Sequence, residues 1–314
     1  ELYNPERLFP MSTEEFWRFN PNTGTAPSVR SRRDCDLLGK LYDRAPGFWM
    51  RANALRKTPE SNPWGVRFMQ GHFNMTSDSD RFRTRVQLEG EEYCPGPGCH
   101  FHRGERHYVP LYEGKYIHQF DHRYAHGVAR EERLANKQAS DVVPSAKKAN
   151  PQFSILPRFW VPAEDVPPHP GIVIGFRDIT NATNARTMVA TALSEVGSGH
   201  KLPLIFTKVA PPLQLCLLAN LNSFALDWGT RQKFNGTSMN FFVVEQLPVL
   251  PPTAYGAELG EGTVEGWIAE RTLRLVYTAD DMQPVARAMG YDGAPFVWDE
   301  EERRHLRAGL DAMF

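Results

Sequence analysis

The chain has 314 residues, 41% hydrophobic and 23% charged, with a formal net charge of −1, enough to bury a full core in two or more subdomains. It has no apolar run near the ~18 residues a membrane helix needs and no signal-peptide pattern at its start, so a cytoplasmic protein with no membrane partner is expected. Its four cysteines are too few for a disulfide scaffold.

In chain order, Ser12-Thr-Glu-Glu15 is a capping box that predicts a short helix carrying Phe16 and Trp17. Ser31 caps a second expected helix, with Leu37, Leu38, Leu41 and Tyr42 at helical spacing and Pro46 beyond its end. Strands are expected within Tyr108–Phe120, at Ile172–Phe176 and at Leu204–Thr207. Ala129–Lys148 is charged and rich in small residues, and reads as an exposed helix or loop. Thr180 or Asn181 is placed to cap a helix containing Met188, Val189 and Leu193. Pro212–Trp228 is apolar nearly all round, which predicts a helix buried on several faces. A strand at Met239–Val244 follows. Proline and glycine clusters at Val161–Gly171 and Pro248–Gly262 are the linker candidates. The last 50 or so residues read as helical, with Asp280 as a cap, Pro284 in a first turn, an acidic helix start at Asp299–Glu302, and Leu306, Leu310 and Met313 as a stripe. The fold class expected is α+β: mixed short-stranded sheets with packed helices, then a helical C-terminal segment. The divisions expected are 1–90, 91–252 and 253–314.

The near-zero net charge hides an uneven distribution. Pro27–Arg67 holds nine Lys/Arg against four Asp/Glu, and Phe101–Arg158 holds ten against six with five histidines. Ala254–Phe314 reverses this, with six against twelve. Phosphate affinity depends on a local basic surface, so this pattern is compatible with DNA binding and equally with a mixed solvated face.

Four segments carry candidate chemistry. In Arg231-Gln-Lys-Phe-Asn-Gly-Thr237, Arg231 and Lys233 are placed to meet phosphates. Gln232 or Asn235 could read a base edge, Gly236 would allow close backbone approach, and Thr237 adds a hydroxyl. The bland alternative is a polar connector. In Tyr112–Arg123, an extended chain would put Lys115 on one face and His118 on the other, while Asp121 could orient His122 or pair with Arg123. That group serves a DNA-facing surface or a structural ion pair equally well. Phe176–Arg186 offers Arg177, Thr180, Asn184 and Arg186 where an expected helix start would favour an anion, with simple capping as the alternative. Finally, Cys94, Cys99, His100 and His102 put four zinc-type donors in nine residues. Their Cys-x4-Cys-His-x-His spacing departs from the usual knuckles, so a surface turn without metal is expected.

The stretch Phe224–Pro252 (FALDWGTRQKFNGTSMNFFVVEQLPVLPP) resembles the target-recognition segment of large adenine-specific DNA methyltransferases of the type IIG restriction-modification kind. Arg18–Pro46, Tyr108–Ala125, Gly175–Leu193 and Leu273–Phe314 look like further blocks of the same family in the same order. The family's catalytic Asn- or Asp-Pro-Pro-aromatic tetrad does not occur here: Asn4-Pro5, Asn20-Pro21, Asn62-Pro63 and Asn150-Pro151 each lack the second proline. No glycine-rich turn suggests an S-adenosylmethionine site either. With Glu1 as its first residue, the chain looks like the recognition portion of a longer enzyme. The resemblance thus implies a partner in double-stranded DNA and a methylase domain outside this segment that binds S-adenosylmethionine and modifies a flipped adenine. The implied setting is restriction-modification or a phage-defence system such as DISARM or BREX, with other defence subunits as possible partners. The alternative is a non-catalytic scaffold that docks defence proteins and touches DNA only through phosphates.

Overall fold

The computed structural model describes residues 8–127, 140–169 and 171–314. The fold is α+β, with helices and several small sheets. Helices are α1 (Thr13–Phe19), α2 (Arg32–Arg44), α3 (Arg85–Gly90), α4 (Ser145–Lys148), α5 (Pro211–Asn222), α6 (Phe224–Arg231), α7 (Phe241–Val244), α8 (Val264–Val276), α9 (Gln283–Ala288) and α10 (Glu300–Met313). The strands of the two larger sheets are β1 (Arg67–Met69), β2 (Cys94–Pro95), β3 (Phe101–Arg103), β4 (Arg106–Tyr112), β5 (Trp160–Pro162), β6 (Val173–Phe176), β7 (Ala190–Leu193), β8 (Gly197–Ser198) and β9 (Leu204–Phe206). Two small antiparallel pairs, Ala125–Gly127 with Ser140–Val142 and Glu258–Leu259 with Gly262–Thr263, complete the strands described.

The central sheet runs β1-β9-β6-β7, every pair antiparallel. β7 is buried along its whole length, which fits its small residues Ala190, Thr191 and Ala192 against α5. α5 in turn packs on α8 and is buried continuously from Gln214 to Asn222. The second sheet is built on β4. It pairs antiparallel with β3 and β5 and parallel with β8, and β2 extends it beyond β3. One apolar core takes Phe48 and Trp64, then Phe176, Leu217 and Val244, then Ile268, Leu275 and Leu310. The stretches expected as connector, recognition region and C-terminal segment therefore share a core. No helix among the described residues is long and apolar enough to cross a membrane.

Local capping chemistry acts as expected at the starts of α1 and α2, and α10 begins at the expected acidic run. The Ser12 hydroxyl accepts from the Glu15 amide while the Glu15 carboxylate accepts from the Ser12 amide, which closes the capping box of α1. Ser31 caps α2 through the Asp34 amide, and Asp299 caps α10 through the Glu302 amide.

Other expectations are corrected. The helix expected over Pro212–Trp228 is two helices, broken at Ser223, which is extended at φ −69°, ψ 153° and caps α6 through the Leu226 amide. Met239–Val244 is not a strand: after Met239 the chain forms the helical turn α7, which leaves Val244 buried and Phe241 stacked on Phe68 at 5.0 Å. Its alternation of apolar residues finds no neighbouring strand to pair with, and packing decides the conformation. No helix follows Thr180 either. The Asn181 side chain accepts from the Thr183 amide at 2.9 Å, forming a turn, and the chain then enters β7 as a strand. The β4 strand stops at Tyr112 and a 3-10 turn, Gly114–Tyr116, replaces further strand. Asp280 lies inside a 3-10 turn whose cap position is Ala279, while Pro284 does sit in the first turn of α9. Of the charged stretch Ala129–Lys148, residues 129–139 lie outside the described residues.

Candidate nucleic-acid interface

Two turns nominated separately by the sequence meet in space. The turn between β6 and β7 (residues 178–187) and the turn after α6 (residues 231–238) are joined by the Thr180 amide, which donates to the Thr237 carbonyl at 3.1 Å, and by a bridge between Ile179 and Ser238. The Met239 amide donates to the Asp178 carbonyl at 2.7 Å, and the Ser238 hydroxyl to the Asp178 carboxylate. Asp178, buried, also accepts from Lys201 Nζ at 2.7 Å.

Asp227 on α6 is the keystone of this junction. One carboxylate oxygen accepts from the amides of Thr187 and Met188 at 2.7 and 2.9 Å, and the other from Arg231 Nε at 3.0 Å. A buried carboxylate is tolerated only when so fully bonded. Arg231 then spans to the neighbouring turn, with Nη1 donating to the Ala182 carbonyl at 2.9 Å and Nη2 to those of Asn184 and Ala185 at 2.8 and 2.9 Å. Its guanidinium is a strut between the two turns, with every nitrogen engaged by a protein acceptor.

Lys233 is also turned inward. Its ammonium donates to the Phe19 carbonyl, to the Tyr42 hydroxyl at 2.5 Å and to the Gln246 carbonyl at 2.6 Å. Burial pushes its pKa well below the usual lysine range. The expected phosphate contact of Lys233 is therefore not available in this fold; the side chain ties α1, α2 and the segment after α7 together. Gly236 does not have a positive φ, and a Cβ added there would meet only the Ser238 amide at 3.9 Å.

What faces solvent is neutral. Asn235, Gly236 and Thr237 are exposed on one turn, and Asn181, Thr183, Asn184 and Ala185 on the other. The Asn235 amide nitrogen donates to the Ser28 hydroxyl, and the Ser28 amide to the Gln232 carbonyl at 2.5 Å, so the loop before α2 joins the same ridge. The Gln232 side chain folds back on the Trp228 carbonyl at 3.4 Å. Arg30, two residues beyond Ser28, is exposed and without a partner among the described residues. The sequence reading passed over Ser28, Arg30 and Thr183. The Asn-x-Thr pattern at 181–183 carried the signal for the third, because an Asn side chain readily closes a turn on the amide two residues on.

The other nominated cations are structural. Arg123 is fully buried, with Nη1 donating to the carbonyls of Asn150 and Phe153 and Nη2 to those of Lys148 and Thr278. Beside it Asp121 pairs with buried Lys148 at 2.6 Å. His122, not paired with Asp121, lies 3.0 Å from Asp281. Arg177 donates to the carbonyls of Gly114 and Ile117. Thr180 is buried, its hydroxyl donating to the Thr187 carbonyl at 2.7 Å. Since no helix starts there, the expected helix-terminus attraction for an anion is absent. Arg186 lies over the Phe224 ring at 3.6 Å and 3.6 Å from Asp311. Lys115 pairs with Glu113 at 3.0 Å, and His118 packs on Tyr124 with burial pushing its pKa down to about 4. Of these residues only Asn184 presents its side chain freely.

Cys94 is exposed and lies opposite His102 in the β2–β3 ladder, while burial pushes the Cys99 thiol up to about 11. Among the described residues no three His, Cys, Asp or Glu side chains are grouped to hold a metal ion.

No protein-family model matches the chain, and no curated protein matches its sequence.

Proposed function

We propose that this chain is the DNA-recognition portion of an S-adenosylmethionine-dependent adenine methyltransferase in a restriction-modification or phage-defence system. Methyl transfer and cofactor binding belong to a part of the enzyme outside this segment. The observation that carries the reading is the ridge itself. Two turns from separate blocks of the family resemblance are locked into one surface whose exposed side chains are amides, hydroxyls and Ile179, while the charged groups beneath are struts. Neutral polar tips on a rigid mount suit base-edge readout, whereas phosphate contacts fix register without carrying sequence information. Arg30 is the free cation beside the ridge best placed for such a phosphate contact.

The test uses the full-length methyltransferase and a library of randomised sites. Asn235→Ala and Asn184→Ala should each relax preference at one base pair by about 1–3 kcal/mol. Arg30→Ala should instead weaken binding to every site and reduce the salt dependence. Thermal melting should not move. If all three variants keep wild-type affinity and preference, the ridge is not the recognition surface. A uniform loss in all three, with no change in preference, would favour a scaffold that touches DNA through phosphates alone.

A further inference from the structure

The β6–β7 pair has two ends. The polar ridge occupies the end near Phe176 and Ala190; at the other, where Val173 faces Leu193, the chain forms a half-open cavity of about 610 Å³. That volume falls in the range of small-molecule sites. Its apolar wall includes Val109 of β4, Val166 and Pro168 after β5, Val173, Leu204 and Val285.

The polar lining is unusual for a packing defect. Five imidazoles border the cavity: His72, His100, His102, His107 and His169. His72 and His169 stack with ring centroids 5.6 Å apart and their Nε2 atoms 3.3 Å apart, and His102 stacks on His107 at 5.7 Å. Burial lowers the pKa of His100 and His169, and takes that of His72 to about 4, so these three are uncharged near neutrality. A neutral ring has one donor and one acceptor at its edge and a flat face to stack on; His72 already accepts from the Ser198 amide at Nδ1 and meets His169 at Nε2. Such a lining does not attract phosphate.

Two further residues border the same space. Ser194 lines the cavity, and its hydroxyl is buried and has no hydrogen-bond partner among the described residues. A buried polar atom left unpaired costs about 1–3 kcal/mol, a cost that a ligand's polar group would remove. The next residue, Glu195, is a non-glycine at φ 38°, a conformation found disproportionately at ligand sites. It brings an acceptor-only carboxylate to the rim.

We propose that this cavity binds an uncharged, planar nitrogen heteroaromatic carrying an exocyclic amine, of the size of adenine. The flat apolar walls and imidazole faces take the ring, the Ser194 hydroxyl and imidazole nitrogens meet ring nitrogens, and the Glu195 carboxylate accepts from the amine. The same chemistry is offered by a free nucleoside and by an unpaired base in DNA. The proposal does not depend on the ridge contacting DNA, since the two sites lie at opposite ends of β6 and β7.

Adenosine titrated into the full chain by calorimetry tests it, alongside a duplex with one unpaired adenine. Val166→Trp, which fills the cavity, should abolish adenosine binding. Ser194→Ala should weaken it about three- to tenfold without lowering the melting temperature, because the free protein loses only an unpaired hydroxyl. A merely structural serine would show the reverse. Glu195→Gln should reduce the preference for adenosine over inosine, which lacks the amine. Binding of the duplex alone, lost in Val166→Trp, would support the site and name DNA as the source of the base. If neither probe binds, or if binding persists in both Val166→Trp and Ser194→Ala, the proposal is overturned. Should Val166→Trp fail to fold, Ser194→Ala and Glu195→Gln still decide.

Discussion

The ridge and the Arg123 junction use the same device to different ends. In both, a guanidinium bridges carbonyls from segments far apart in sequence: Arg231 reaches residues 182–185, and Arg123 reaches residues 148–153 and 278. At the Arg123 junction the polar groups are turned inward, and Arg123 Nε has no hydrogen-bond partner among the described residues. Asp121, Lys148 and Arg123 are all buried, and Trp298 covers the Lys148 ammonium at 4.5 Å. At the ridge the strut holds up exposed amides and hydroxyls, of which Asn235 and Asn181 also bond within the ridge. The difference teaches that a cation in a candidate DNA-binding segment is weak evidence of phosphate contact. What remains exposed and unpartnered once the struts are subtracted is the better guide.

The sharpest way to break this comparison is at the junction. Arg123→Met keeps the stem but leaves four buried carbonyls without their donor and disturbs the balance around Asp121 and Lys148. A loss of about 3–5 kcal/mol is expected, the scale for breaking a buried ionic group. Urea unfolding would show it as a lower midpoint. A loss under about 1 kcal/mol would mean that the junction is not the clamp described.

Lys233→Met follows, with a smaller effect. The apolar stem still fills its place, while the carbonyls of Phe19 and Gln246 and the Tyr42 hydroxyl lose the ammonium. The expected loss is about 1–3 kcal/mol. On the proposed function, the salt dependence of DNA binding should not change. A flatter salt dependence with unchanged melting would restore Lys233 as a phosphate contact and blur the distinction between strut and tip.

His118 gives an effect visible only in acid. Burial lowers its pKa from 6.5 to about 4, so the folded chain keeps it neutral where the unfolded chain takes up a proton. The unfolded state therefore binds more protons between pH 6.5 and 4, and stability falls as pH drops through that window. Below it both states are protonated and this contribution levels off. His118→Phe retains a ring against Tyr124 and removes the proton, so its melting temperature should fall less steeply over the same window. Parallel curves for the two proteins would remove His118 from the acid response.

These cases also show which parts of the fold could be read from the sequence. Ser12, Ser31 and Asp299 announced their helices because capping involves neighbours three residues away. β6 and β9 were legible as short apolar runs between turn signals. The turn at Thr180–Thr187 was misread because the chemistry that caps a helix also closes an Asn turn. The choice between them falls to Asp227, which captures the amides of Thr187 and Met188 from 40 and 39 residues away. Lys233 was opaque for the same reason: its three acceptors come from residues 19, 42 and 246, and no local pattern reveals them. The candidate segments Phe176–Arg186 and Arg231–Thr237 were found by sequence; that they form one ridge, and which of their atoms face outward, depended on these long-range bonds.

The smallest expected effect is also the most diagnostic for the ridge. Gly236 is exposed, has no positive φ and has open space where a Cβ would go. Gly236→Ala should therefore leave stability within about 0.5 kcal/mol, or raise it slightly by restricting the unfolded chain. Any effect on DNA binding then cannot come from the fold, which separates this position from Lys233 and Arg231. If the Gly236 backbone lies against a phosphate, the added methyl group weakens binding to all sequences alike while melting stays fixed. If a side chain of the ridge reads a base but the Gly236 backbone stands clear, affinity and preference both remain at wild type and only Asn235→Ala or Asn184→Ala changes the preferred site. A drop in melting temperature would contradict the open space around Gly236, and with it the division of this turn into an inward strut and an outward tip.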